Sequence, residues 1–234
     1  LGRLPLASKA LAVALEAARN AGDVGAEVEA LRLLSVLARD EGQYLRALEC
    51  CDQALALMGN STDTLSQRGT ILLSRGNVLQ QMGRHQDAVQ PYAEALVIYR
   101  RLGEKRLQAH TLNAMGQVAR ALGEYEDALG LIRRSLMLDQ QINDRFRVGR
   151  KLCHLGMTYA EVGDVDRALT HLRQSAQANH QLGDRNGLEE TLIGLAQVLL
   201  AAGAVKEAES TLLEAERMAA EGGSLFAKIR SAVT

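Results

Sequence analysis

"ALGEYEDALG", residues 121–130, decides the fold, because its glycine and alanine have copies at a fixed distance along the chain. Gly123 stands five residues before Ala128. "QMGRHQDAVQ" (81–90) puts Gly83 and Ala88 forty residues earlier, and "EVGDVDRALT" (161–170) puts Gly163 and Ala168 forty later. "AAGAVKEAES" (201–210) repeats the pair at Gly203 and Ala208, and "DEGQYLRALE" (40–49) holds it at Gly42 and Ala47, one residue further off. A pair recurring at such a period marks stacked structural repeats.

Cutting at that period gives repeats 24–64, 65–104, 105–144, 145–184 and 185–224, the first of 41 residues and the others of 40. Residues 1–23 read as the second half of an earlier repeat, since "NAGD" (20–23) matches "RLGE" (101–104) and "QLGD" (181–184). Residues 225–234 read as the start of a further one. No linker or low-complexity segment interrupts the series, so 1–234 is expected to be a single repeat domain. The chain opens at Leu1 and not at methionine, which suggests a piece of a longer protein.

Each repeat holds two helical stretches. Across 106–122, Leu112, Met115, Ala119 and Leu122 recur at i, i+3, i+7 and i+10, one face of a helix. Across 125–142, Leu129, Ile132, Leu136 and Met137 are expected to do the same. Gly123 lies between them and lets the chain reverse. Gly103, Asn143, Gly183 and Gly223 punctuate the other end, being the residue types that enter the left-handed region at least cost. The residues after them, Glu104, Asp144, Asp184 and Ser224, suit a following helix start. Gly76, Gly116, Gly156 and Ala196 on the first helix, and Ala88, Ala128, Ala168 and Ala208 on the second, imply close helix contact. A glycine inside a helix costs about 1 kcal/mol against alanine, so three at one spacing need a packing reason. Pro91 should bend the second helix of its repeat.

Composition narrows the function. The 234 residues are 47% hydrophobic and 24% charged, with a net charge of −1, so neither a basic excess nor a stripe points to nucleic acid. No apolar run approaches the roughly 18–20 residues of a membrane span, and no signal-peptide pattern opens the chain. Cys50, Cys51 and Cys153 form no CxxC pair and suggest a reducing, cytoplasmic compartment; the vicinal pair reads as small buried or half-buried helix residues. The glycosylation pattern at Asn60 reads as chance.

Phosphate-loop, zinc-protease and nucleophile-elbow motifs are absent, as is any strand pattern to seat a dinucleotide. His85, His110, His154, His171 and His180 lack ligand spacing and read as surface or groove residues. Glu124 and Asp127 read as solvated helix-start charges, and "LIRRSL" (131–136), with Arg133, as an outer face. The expectation is a non-enzyme without metal or cofactor.

The spacing L-x2-φ-[GA]-x2-φ…[GA]…A-x3-φ-x2-[AS] resembles the tetratricopeptide repeat. Leu112, Met115, Gly116, Ala119, Ala128, Ile132 and Ser135 occupy its positions in one repeat, and Leu152, Leu155, Gly156, Tyr159, Ala168, Leu172 and Ser175 in the next. The chain departs from the common form in its longer period, its lack of Trp and its missing repeat-end proline, and is similar to the long variant of Pins-type adaptors and bacterial signalling regulators. The resemblance implies an all-α, right-handed superhelical solenoid of antiparallel helix pairs, whose concave groove is lined by the first helices. It implies a protein–protein interaction module in a larger signalling protein, gripping a peptide or helix from a partner or its own chain. The alternative is a sensor of a small signalling peptide. Neither nucleic acid nor membrane is expected as a partner.

Asn77 and Gln80 in one repeat, His110, Asn113, Gln117 and Arg120 in the next, and Arg150 after them match the groove-lining positions. His110, Asn113, Gln117 and Arg120 stand at i, i+3, i+7 and i+10, one stripe beside the Leu112/Met115 face. Thr70, Leu73, Cys153, Met157 and Ala160 hold the equivalent places. Amides can donate and accept at once to an extended main chain, and the arginines favour a carboxylate on it. Glu161 and Glu190 temper the positive charge.

Overall fold

The computed structural model of the chain describes residues 3–58 and 64–222. Asn60, Gly223, Ser224 and the expected repeat start at 225–234 lie outside the described residues. What is described is helical: α1 (Arg3–Ala21), α2 (Val24–Asp40), α3 (Tyr44–Leu57), α4 (Leu65–Gln81), α5 (His85–Arg101), α6 (Lys105–Ala121), α7 (Tyr125–Gln141), α8 (Arg145–Val162), α9 (Val165–Leu182), α10 (Arg185–Ala201) and α11 (Val205–Gly222). No strand occurs among the described residues.

The helix boundaries follow from local chemistry. Gly22, Gly42, Gly83, Gly103, Gly123, Gly163, Gly183 and Gly203 all have positive φ, and Asn143 stands in the same role at φ 54°. That left-handed residue sits just past a helix, where a glycine carries no Cβ penalty. After it comes an N-cap. The carboxylates of Asp23, Asp164 and Asp184 accept from the backbone N–H groups of Ala26, Arg167 and Gly187. Each such bond satisfies one of the donors that a helix start leaves open.

The chain divides into two compact units, 1–122 and 123–234. In the first, α2 packs on α3 and α4 on α5, while α4 also touches α2 and α6, so the first helices stand side by side. Its main core gathers Leu72, Leu73, Leu79, Ala88, Tyr92, Ala95, Tyr99, Ala114 and Val118. In the second, α8 packs on α7, α9 and α10, around Leu129, Ile132, Leu155, Tyr159, Ala168, Leu172 and Leu199. Ala88, Ala128, Ala168 and Ala208 are wholly buried. A Cβ built on Gly156 would stand 2.6 Å from Leu172 Cγ and 3.1 Å from the Ala168 carbonyl oxygen, so the glycine there permits the α8–α9 contact.

The structure corrects the sequence reading at two places. Met137 is 57% exposed, and Ser135 and Asp139 take the buried positions of α7, three and seven residues after Ile132. Asp139 is tolerated there because Lys151 of α8, itself buried, donates to it. His154 is buried at 8% exposure, not a surface residue. Arg133 is exposed, as its outer-face reading expects, and it also donates to the Tyr159 hydroxyl. Cys50 and Cys51 are buried and unpaired, and burial pushes the Cys51 thiol up to about 11, keeping it protonated at neutral pH.

Candidate functional site

The helices α2, α4 and α6 stand side by side, and six of the seven stripe residues lie on α4 and α6. On α4, Tyr92 of the paired helix α5 organises them. Gly76 has no Cβ, and one built there would lie 2.5 Å from the Tyr92 ring. The ring therefore passes across the bare backbone, and its hydroxyl emerges between Asn77 and Gln80. It stands 2.8 Å from Asn77 Oδ1 and 2.8 Å from Gln80 Oε1. A phenol has one proton to give, so one amide accepts it and the other, turned over, donates its NH2 to the oxygen. Burial pushes the Tyr92 phenol well above its ordinary range, with Arg39 of α2 pulling the other way. The hydroxyl therefore stays protonated.

The device recurs one turn-pair earlier. A Cβ on Gly69 would meet the Tyr99 ring at 2.9 Å, and the Tyr99 hydroxyl reaches Thr70 Oγ1 at 3.5 Å. Thr70 gives its own proton to the Ser66 carbonyl, 3.0 Å away, leaving its oxygen as the acceptor. Thr70, Asn77 and Gln80 are thus held from beneath by two tyrosines. Sequence reasoning named Asn77 and Gln80 but not the tyrosines that bond them. The signal was present: Gly69 and Gly76 are seven residues apart, as are Tyr92 and Tyr99.

On α6, His110, Gln117 and Arg120 are half-buried, whereas Asn113 is buried at 7% exposure, so it is less accessible than its neighbours. Arg39 occupies on α2 the repeat position that Gln80 and Arg120 occupy on α4 and α6, at intervals of 41 and 40 residues. The sequence reading did not include it. Its side chain is 22% exposed and pairs with Asp40 at 2.8 Å. Arg150 lies on α8 in the second unit and is exposed, as is Phe146 one turn before it at 62%. Among the described residues no group of His, Cys, Asp and Glu could hold a metal ion, and no helix is long and apolar enough to cross a membrane.

A family model described as the MalT-like TPR region matches residues 26–233. The chain belongs to that TPR family. No curated protein matches it. Among solved structures, BtubC (BKLC) from P. vanneervenii is similar with a TM-score of 0.80 at 25% identity, over 94% of this chain and 92% of that one. A putative kinesin light chain with TPR-like repeats from Podosopora anserina gives a TM-score of 0.69 at 16% identity, over 84% and 96%. The Rap conjugation gene regulator of plasmid pLS20, solved with the Phr* peptide, gives 0.71 at 16% identity, over 85% of this chain and 56% of that one. The fold of this TPR chain is accordingly that of TPR-like helical repeats, a protein-interaction architecture.

Proposed function

We propose that this TPR chain is a non-catalytic interaction module that holds an extended peptide or a partner's segment against the α4–α6 face of its first unit. The observation that carries the reading is the Tyr92 hydroxyl fixing Asn77 and Gln80. An amide held by a buried phenol has lost its rotamer freedom before a ligand arrives, which lowers the cost of binding. Each amide keeps donor and acceptor capacity for a peptide main chain. Arg39 and Arg120, at the same repeat position on the flanking helices, add charge for an acidic side chain or a terminal carboxylate. The peptide seen on the Rap regulator supports the ligand class, since that protein has the same fold.

The test is selection of a random-peptide display library on the purified chain, followed by calorimetry of the enriched peptides. Asn77→Ala and Gln80→Ala should each weaken binding roughly tenfold, the size of one lost hydrogen bond to a positioned group. Tyr92→Phe, which keeps both amide side chains but removes the hydroxyl that orients them, should weaken it too. If all three variants bind like the wild type, while Arg134→Glu on the second-helix surface abolishes binding, the face is wrongly assigned.

A further inference from the structure

A second cluster lies elsewhere, within the second unit. Tyr159 of α8 is 4% exposed, and three side chains converge on it from the second helices of two repeats. Arg133 of α7 donates to its hydroxyl, with the guanidinium 5.6 Å from the ring centroid. Arg167 of α9 lies 5.5 Å from the same centroid. His171, one turn further along α9, stacks on the ring at 5.3 Å with 6° between the planes.

The repeat makes this arrangement informative. Forty residues on, the positions of Arg133 and Arg167 are held by Arg173 and Glu207, which pair at 2.7 Å. One junction thus ties its second helices together with opposite charges. The junction before it brings two cations to one ring. Cation–π contact seats both guanidiniums on the ring, and no acidic residue stands at the position where the next junction has Glu207 to answer their charge. Asp164 offsets part: it lies 3.3 Å from Arg167, but it also caps α9 through the Arg167 backbone N–H. Burial holds the His171 imidazole below its ordinary value, Gln174 raises it by a hydrogen bond, and both guanidiniums lower it again.

We propose that Arg133 and Arg167 bind an oxyanion of the phosphate class between α7 and α9, which supplies the negative charge that Glu207 supplies at the next junction. A phosphate carries up to two charges and enough acceptor oxygens to meet two guanidinium forks at once, which a single carboxylate does less well. The neighbouring imidazole reports on the site. A bound anion cancels the field of the two arginines, so His171 gains its proton at higher pH when the site is filled.

The experiment is an NMR titration of the histidine ring protons against pH, in inorganic phosphate and in chloride at matched ionic strength. Phosphate is expected to raise the His171 midpoint and chloride to leave it. Arg133→Gln and Arg167→Gln should each weaken phosphate binding roughly tenfold. Arg167→Glu, which rebuilds the pairing of the next junction, should abolish it without lowering the melting temperature. A parallel arm with a phosphoserine peptide distinguishes the source: tighter binding than inorganic phosphate assigns a protein-borne phosphoryl group, equal binding a free anion. The same His171 midpoint in phosphate and chloride overturns the proposal, as does a phosphate shift that survives the Arg133→Gln/Arg167→Gln double variant.

Discussion

Gly76 and Tyr92 show how one missing methyl group positions a polar surface. The ring fills the space a Cβ would need, and the hydroxyl arrives where two amides can use it. Gly76→Ala therefore has to move the ring, and we expect a loss of about 1–3 kcal/mol of stability from overpacking. It should also weaken peptide binding, because Asn77 and Gln80 lose their anchor. Gly130 supplies the control. It lies inside α7 with nothing within 4 Å of a built Cβ. Alanine there should stabilise the chain by about 0.5–1 kcal/mol, through helix propensity alone. Urea melts of both variants check the pair; equal effects would mean that Gly76 has no special packing role.

At the scale of elements, the sequence was most legible where backbone conformation is at stake. The left-handed glycines and Asn143 and the wholly buried alanines were readable because each has few chemical alternatives, whereas of the expected helix-start residues Asp184 caps through its side chain and Glu104 and Asp144 do not. Side-chain partners across a helix pair were not. The apolar pattern of α7 points to Met137, but the buried face runs through Ile132, Ser135 and Asp139. Nothing in α7 alone reveals that Asp139 is answered by Lys151 on the next helix. The equivalent places are Tyr99 and Asn179 for Asp139, and Thr111 and Thr191 for Lys151, so the position is polar in several repeats with a different solution in each. In the next repeat, Ser175 sits 2.8 Å from the Thr191 hydroxyl and bonds the Gly149 carbonyl at 2.7 Å. The spacing of the polar stripe was legible, while the tyrosines that bond it and Arg39 needed the fold. Burial raises the Asp139 carboxyl and lowers the Lys151 ammonium, each toward its neutral form, so desolvation works against the pair. Lys151→Met should cost about 3–5 kcal/mol by stranding a buried carboxylate, whereas Asp139→Leu/Lys151→Met together should recover most of it. A double-mutant cycle in urea measures this, and additive losses would show that the two groups are not coupled.

For the whole molecule, stability should be distributed as the contacts are. Within the second unit, α8 touches α7, α9 and α10, and α11 packs on α10, so each helix depends on its neighbours along the chain. Such a chain has no single core whose loss melts everything at once. Ala168 tests this, because it is wholly buried and its carbonyl oxygen would lie 3.1 Å from a Cβ on Gly156. Ala168→Leu adds three carbons at that closest approach and should cost about 1–3 kcal/mol. The cost should be local. Backbone amides of α8 and α9 should lose hydrogen-exchange protection most, those of α10 less, and those of α4 and α5 hardly at all, since local openings report nearest-neighbour stability. Arg134→Leu, on the exposed side of α7, should leave the profile unchanged. A uniform fall across every helix in the Ala168 variant would show that the chain unfolds as one cooperative body, and the nearest-neighbour account would fail.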